Sequence, residues 1–287
     1  MKNIYLLISF SLTIFFSINA FATNFTDTLP PPATPQYRYP ESVKKGRFFF
    51  YWGYNRAAFL SSDIHFKGPN YNFTLSNVVA ADRPTDFNIE TYFGLTSVWI
   101  PQYNYRIGYY FSPKWGISLG LDHMKYVVSQ NQTVNLTGNI SANASAKYAG
   151  EYNKSPIVLS EDFLIYEHTD GLNFLSLDAE YVQPITDFWK RRLRLSFQGG
   201  GGGGPVIPRT DSRVFGDGLN NNFKVSGWGI NGKAGLKLDL FKRFFIQTQV
   251  RVGYINLSDI LLHNDEPQRA KQDIIFGEVF GVLGVYF

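Results

Sequence analysis

Apolar and polar side chains alternate with a period of two along most of this chain, the spacing of strands that show one face to oil and the other to water or to partners. The pattern is clearest between residues 224 and 241, where Trp228, Ile230, Ala234, Leu236, Leu238 and Leu240 share one face and Asn231, Lys233, Lys237 and Asp239 share the other. It recurs in the next segment, with Phe244, Ile246, Val250, Val252 and Tyr254 opposed to Gln247, Gln249 and Arg251. At the carboxy terminus Val279, Leu283, Val285 and Phe287 oppose Glu278 and Tyr286.

The same reading predicts eight strands: Arg47 to Leu60, Trp99 to Phe111, Trp115 to Ser129, Leu172 to Ile185, Arg191 to Gly203, Lys224 to Phe241, Arg243 to Leu257 and Asp273 to Phe287. Short polar turns around Ser112-Pro113-Lys114, Thr186 to Lys190 and Lys242 alternate with long polar connections at 61–98, 130–171, 204–223 and 258–272. Short turns at one end and long loops at the other are the mark of a closed antiparallel transmembrane barrel. Eight strands are expected, with ten as the alternative if 61–98 or 130–171 supplies another hairpin. The first long loop carries Phe73, Leu75 and Phe87 and is expected to fold over the barrel mouth.

Which way the alternation faces is decided by charge. The inward set contains Arg106, Arg194, Lys233, Lys237 and Arg251 against Asp122, Asp178, Glu180, Asp239 and Glu278. A lipocalin-like barrel buries its apolar face inside and has no place for ten charges. Buried ions persist only when paired, so a salt-bridge network is expected across the lumen, plugging the narrow bore of an eight-stranded barrel. Trp115 and Trp189 at the short turns, and Trp52, Trp99 and Trp228 nearer the other rim, are expected as interfacial anchors.

Composition agrees with that class. Aromatic residues make up 17% of the chain and charged residues 17%, and past the amino terminus no apolar run is long enough for a spanning helix. Lys2, the apolar stretch Ile4 to Ile18 and Ala20-Phe21-Ala22 read as a signal peptide over residues 1–22. Residues 23–45, with Pro30, Pro31, Pro32, Pro35 and Pro40, read as an extended periplasmic lead, and 46–287 as the barrel. There is no cysteine, which excludes disulfides, thiolate metal sites and a lipidated cysteine. The 27 basic and 23 acidic side chains form no dense run, so nucleic acid is not an expected partner.

Little else carries chemistry. The run Gly199 to Gly204 lacks the Gly-Lys-Ser/Thr of a phosphate loop and reads as a curved strand that leaves room for bulky neighbours. Asp63, His65, Asp122 and His123 have no metal-site spacing, so no metal and no cofactor is expected. Asn131, Asn135, Asn139 and Asn143 mark a polar exposed loop. The cluster Glu167, His168, Thr169 and Asp170 brings together a base, a hydroxyl and carboxylates, the types an ester hydrolase needs. The stretch His168 to Ser176 faintly resembles the catalytic region of small barrels that deacylate lipid A. In those enzymes the serine stands two positions after the histidine, where this chain has Asp170; a hydrogen-bonded turn is the alternative reading.

An aromatic last residue preceded by alternating apolar positions resembles the closing strand of bacterial outer-membrane barrels, which the barrel assembly machinery recognises. The whole pattern resembles the OmpA/OmpX type, small eight-stranded barrels of Bacteroidota among them. That resemblance implies a monomer in the bacterial outer membrane, in contact with outer-membrane lipid and lipopolysaccharide and with the assembly machinery through Phe287. No carboxy-terminal peptidoglycan-binding domain is read after the barrel, so an OmpA-like wall tether is not expected. The role expected is structural or surface-interacting; a lipid A deacylase-like hydrolase and passage of small hydrophobic molecules are the alternatives.

Overall fold

The computed structural model describes residues 44–287 except Leu95, Trp99, Lys190, Arg191, Asn220 and Glu266. The expected signal peptide, the lead up to residue 43 and the expected anchor Trp99 lie outside the described residues. Along the chain run β1 (Arg47–Phe59), β2 (Ser62–Gly68), β3 (Tyr71–Val78), β4 (Ala80–Ala81), α1 (Ile89–Phe93), β5 (Tyr103–Tyr110), β6 (Trp115–Val128), β7 (Thr133–Ile140), β8 (Gly150–Val158), β9 (Leu164–Phe188), β10 (Leu193–Pro208), β11 (Asp211–Val214), β12 (Asp217–Gly218), β13 (Gly227–Leu240), β14 (Phe244–Leu261) and β15 (Arg269–Tyr286). No helix among the described residues is long and apolar enough to cross a membrane.

Eight strands form a closed antiparallel ring, β1-β5-β6-β9-β10-β13-β14-β15. β15 returns to β1 over eleven paired positions, from Phe49↔Tyr286 to Phe59↔Phe276. The tight turns are built locally: Ser112 Oγ accepts from the Trp115 amide at 2.9 Å, and Trp189 and Phe241 take left-handed backbone, φ 49° and 58°. Strand number and order are as the alternation predicts. Strand length is not, because β9, β14 and β15 run on past the expected ends.

The long loops account for the extra length. β2–β3 and β7–β8 are indeed hairpins, but they extend the sheet beyond the ring in the order β15-β2-β3-β7-β8, and the ring keeps eight members. β4 pairs with the end of β6, and β11 with the start of β9.

The wall inverts its polarity part-way up. On β14 the outward side reads Phe244, Ile246, Thr248, Val250, Val252 and Tyr254, then turns polar at Asn256, while the inward side turns from Gln247, Gln249 and Arg251 to Ile255 and Leu257. Neighbouring strands switch on the same rungs. Tyr254 pairs with Ile275 and Asn256 with Asp273; Leu121 pairs with Leu175 and His123 with Asn173. Below the switch the wall is apolar outside, and above it the wall is apolar inside, as in a water-soluble barrel. From Phe244 to Tyr254 the strand rises about 33 Å, or about 25 Å of height at a tilt of ~40°, the thickness of an outer-membrane apolar band.

The interior is therefore layered. Next to the short turns lie Phe49, Tyr51, Tyr110, Val182, Phe245, Phe280, Val282 and Tyr286. Charged side chains occupy the middle. Above the polarity switch a larger apolar core gathers Ile64, Phe66, Phe73, Leu75, Tyr126, Phe163, Tyr166, Phe174, Ile255 and Ile274 among others. Burial of each such side chain contributes about 1.5–3 kcal/mol, which is what orders the long connections. Phe73 and Leu75 lie in this core as expected, but Phe87 does not: it is 72% exposed, on the outside of the wall.

Candidate functional site

Period-two alternation turns one charged residue after another inward on six strands of the ring, and the register sets them in one continuous chain. Glu278 meets Arg251 at 3.2 Å; Arg251 also contacts Asp122; Asp122 meets Arg106 at 3.3 Å; Arg106 meets Asp178 at 2.8 Å; Asp178 meets Lys233 at 2.7 Å; and Lys233 meets Glu180 at 2.6 Å. Signs alternate throughout, with a carboxylate at each end. All seven side chains are buried. Neutral groups add further hydrogen bonds: Asn104 donates to Asp122 (2.5 Å) and Glu278 (2.8 Å), Ser118 to Glu180 (2.6 Å), Gln198 to Glu180 (3.1 Å) and Asn231 to Asp178 (3.2 Å).

The glycine run makes part of this chain possible. β10 lies between β9, which carries Asp178 and Glu180, and β13, which carries Lys233. Gly200 is paired with Glu180 on one side and Lys233 on the other, and Gly202 with Asp178 and Asn231. A Cβ on Gly200 would stand 3.1 Å from Lys233 Cε and 3.2 Å from Glu180 Oε2, and one on Gly202 would stand 2.6 Å from Asp178 Oδ1. The bare strand is the gap over which Lys233 reaches.

Three of the ten expected interior charges lie elsewhere. Lys237 and Asp239 are in the aromatic layer below the chain. Lys237 Nζ lies 3.3 Å from Tyr110 Oη and 5.3–5.7 Å from the ring centres of Tyr110, Phe245 and Tyr286, and Asp239 accepts from Tyr286 Oη at 2.6 Å. Arg194 is at the rim, a quarter exposed, paired with Asp187 at 2.6 and 3.0 Å. It is the second residue of β10 and faces Asp187 directly across the pair, so the strand end holds it there. Sequence reasoning named the charges but missed Asn55, Asn104, Gln102, Ser118 and Ser176; their inward positions in the alternation were the available signal.

The segment around His168 does not assemble as a hydrolase would need. His168 points inward and is fully buried, with Nδ1 3.0 Å from Thr210 Oγ1. Thr169, the next residue, points the other way and donates to Glu167 at 2.9 Å; Glu167 accepts from Arg83 at 2.8 Å, and Asp170 lies 3.3 Å from Arg209. One step along a strand reverses the face, so the histidine and its expected hydroxyl are on opposite sides of the sheet. Thr210, the hydroxyl His168 does meet, is itself buried. This histidine lies above the apolar band, and burial among Tyr126 and Tyr166 pushes its pKa down to about 3.

The other histidines are held singly. His65 Nδ1 is 3.0 Å from Thr74 Oγ1, and His123 stacks on Tyr103 (4.8 Å, 4°) with Nδ1 2.9 Å from Asn173 Oδ1. No group of three or more metal-ligating side chains occurs among the described residues. Trp115, Trp189 and Trp228 are about half exposed on the outer surface, and Trp52 faces outward beside Tyr54 with ring centres 4.6 Å apart.

No protein-family model matches the chain, and no curated protein matches it. Among solved structures it is similar to the outer membrane protein OprG from Pseudomonas aeruginosa (12% identity, 85% of this chain and 97% of that one, TM-score 0.39). It is similar also to Neisserial surface protein A (8% identity, 85% and 100%, TM-score 0.36) and to Ail, the attachment invasion locus protein of Yersinia pestis (12% identity, 85% and 100%, TM-score 0.32). Likeness at this level says nothing about activity.

The chain's own geometry decides its class. Its ring has no open edge, its exterior carries an apolar band between aromatic rims, and its ions are enclosed, the three properties that let a β-structure live in a bilayer. It is a closed eight-stranded transmembrane β-barrel.

Proposed function

We propose that this barrel is a non-conducting scaffold of the outer membrane that presents its outer end for surface interaction. The observation that carries the reading is the chain of seven alternating charges from Glu278 to Glu180, buried between two apolar layers. Opening a water path through it requires breaking paired, dehydrated ions, at about 3–5 kcal/mol for each broken pair. The narrow bore of eight strands supports the same conclusion. On this reading the outer extension formed by β2, β3, β7 and β8 is the interacting part, outer-membrane lipid and lipopolysaccharide surround the wall of a monomer, and Phe287 is read by the assembly machinery after export and cleavage behind Ala22. The OmpA/OmpX-type resemblance, with the small Bacteroidota barrels, agrees with this role. Planar-bilayer recording tests it: the purified protein, inserted and folded, is expected to give no steady conductance, and a large stable open level would overturn the closed-bore reading.

A further inference from the structure

The apex of the outer extension is assembled from four segments far apart in sequence. β2 and β3 are joined by the two-residue turn Pro69-Asn70, with Gly68 paired to Tyr71. The connection after β7 is docked on that turn: the Ser141 amide donates to the Asn70 carbonyl at 2.9 Å, and the Asn143 amide donates to Ser141 Oγ at 3.2 Å. β11 and β12 turn through Phe215 and Gly216, both left-handed at φ 57° and 83°, a geometry that bulky residues avoid. Tyr71, Phe73 and Phe163, with ring centres 5.3–5.9 Å from that of Phe215, hold the turn in place, and Asp217 follows it. Gln268, next to the start of β15, is the fourth contributor.

Between these segments lies a cleft of about 160 Å³. At ~30 Å³ per water that is the room of roughly five waters, enough for one six-membered ring and well short of the ~300–1,000 Å³ of sites for drug-sized molecules. Its lining is mostly polar, with Asn70, Asn143, Asp217 and Gln268 beside Tyr71 and Phe215. Gln268 is 4% exposed and fixed at both ends: Oε1 accepts from Tyr71 Oη at 2.7 Å, and Nε2 donates to Asp217 Oδ2 at 3.3 Å. The other Asp217 oxygen is 3.9 Å from His263 Nε2, beyond hydrogen-bonding distance, and the side chain is 64% exposed. The side-chain amides of Asn70 and Asn143 are exposed and make no hydrogen bond among the described residues. No lysine or arginine lines the cleft among the described residues, so an anion finds no counter-charge there. Two amides that both donate and accept, a carboxylate that accepts and a fixed buried amide surround the volume of one ring. That set matches a neutral molecule whose hydroxyls donate and accept on every side.

We propose that the apex cleft binds one neutral pyranose ring of a saccharide, with Asp217, Asn70 and Asn143 bonding its hydroxyls and Gln268 holding Asp217 in place. The proposal deepens the reading of the outer end as the interacting part and is independent of the closed bore.

Saturation-transfer NMR tests it, on the full barrel folded in an amine-oxide detergent that carries no sugar, with heat-modifiable gel mobility certifying each variant. The probes are the methyl glycosides of glucose, galactose, mannose and N-acetylglucosamine. At least one is expected to receive saturation and to titrate with a Kd of about 1 mM. Asp217→Asn, and Asn70→Ala combined with Asn143→Ala, are each expected to weaken it about tenfold or more, because a site built to bond hydroxyls loses its partners. Asn153→Ala, an exposed amide on β8 outside the cleft, is expected to leave it unchanged. The same titration with polysaccharide from the same cells and with a foreign glycan carrying that ring separates the two sources. No saturation transfer to any of the four glycosides, or equal binding by all folded variants, would overturn the site. A stable open level in bilayer recording would instead overturn the scaffold reading and leave the site standing.

Discussion

Lys233 Nζ lies 2.6 Å from Glu180 Oε1, although a whole strand separates the two residues. Lys233 is paired in register with Arg251, a like charge directly opposite, which by itself destabilises a sheet. The conflict is resolved because the two side chains lean apart: Arg251 goes to Glu278 and Asp122, and Lys233 goes over β10 to Glu180 and Asp178.

Removing Lys233 should therefore cost more than removing the pair. Lys233→Met leaves Glu180 buried without a counter-ion and is expected to destabilise the folded barrel by about 3–5 kcal/mol. The double variant Lys233→Met with Glu180→Gln should recover a large part of that loss. Urea unfolding in lipid vesicles measures both; additive losses would show that the two charges act independently.

The glycine strand predicts a second sensitivity. Gly200→Val puts a branched side chain where Lys233 and Glu180 meet, and its Cβ also stands 2.4 Å from the Ala179 carbonyl oxygen. The variant should be at least as unstable as Lys233→Met. Gly46, with nothing within 4 Å of a built Cβ but a φ of +88°, should tolerate Asn. Heat-modifiable mobility after refolding separates the two.

The polarity switch makes the cost of an outward charge depend on height within one strand. Leu177→Arg on β9 lies in the apolar band and is expected to cost about 2–4 kcal/mol, whereas Ile165→Arg, outward on the same strand above the switch, should cost ~1 kcal/mol or less. Unfolding free energies in vesicles check the difference. Equal costs would put the membrane boundary in the wrong place.

His168 should make the outer end sensitive to acid. Its folded pKa, about 3, lies below the 6.5 of the free side chain, so the unfolded chain binds the extra proton first. The stabilisation is complete above about pH 6.5 and is lost progressively as the pH falls toward 3, at about 1.4 kcal/mol per pH unit across that interval. Hydrogen exchange of β9 and β11 amides between pH 7 and pH 4 should show this loosening, and His168→Gln should flatten it. The same substitution should leave the acyl pattern of cellular lipid A unchanged by mass spectrometry, because Thr169 lies across the sheet; a changed pattern would revive the hydrolase reading.

Alternation in the amino-acid sequence was enough to place eight ring strands, to tell their lipid face from their inner face, and to name the charges that turn inward. These are local properties: a side chain's face follows from its parity in the strand, and a short turn compels its two flanking strands to pair. Partner choice is not local. Only the closed ring, with its register, joins Arg251 to Asp122 and carries Lys233 across the glycines to Glu180. Only the folded connections show that Ile64, Phe66, Phe73 and Leu75 make a second core above the membrane, which prolongs β9, β14 and β15 and encloses His168. The signal in 61–98 and 130–171 was present as short alternating runs, but without a neighbour such runs bury nothing. Packing against strand ends that rise clear of the lipid supplies the missing partner, and that is a property of the assembled wall.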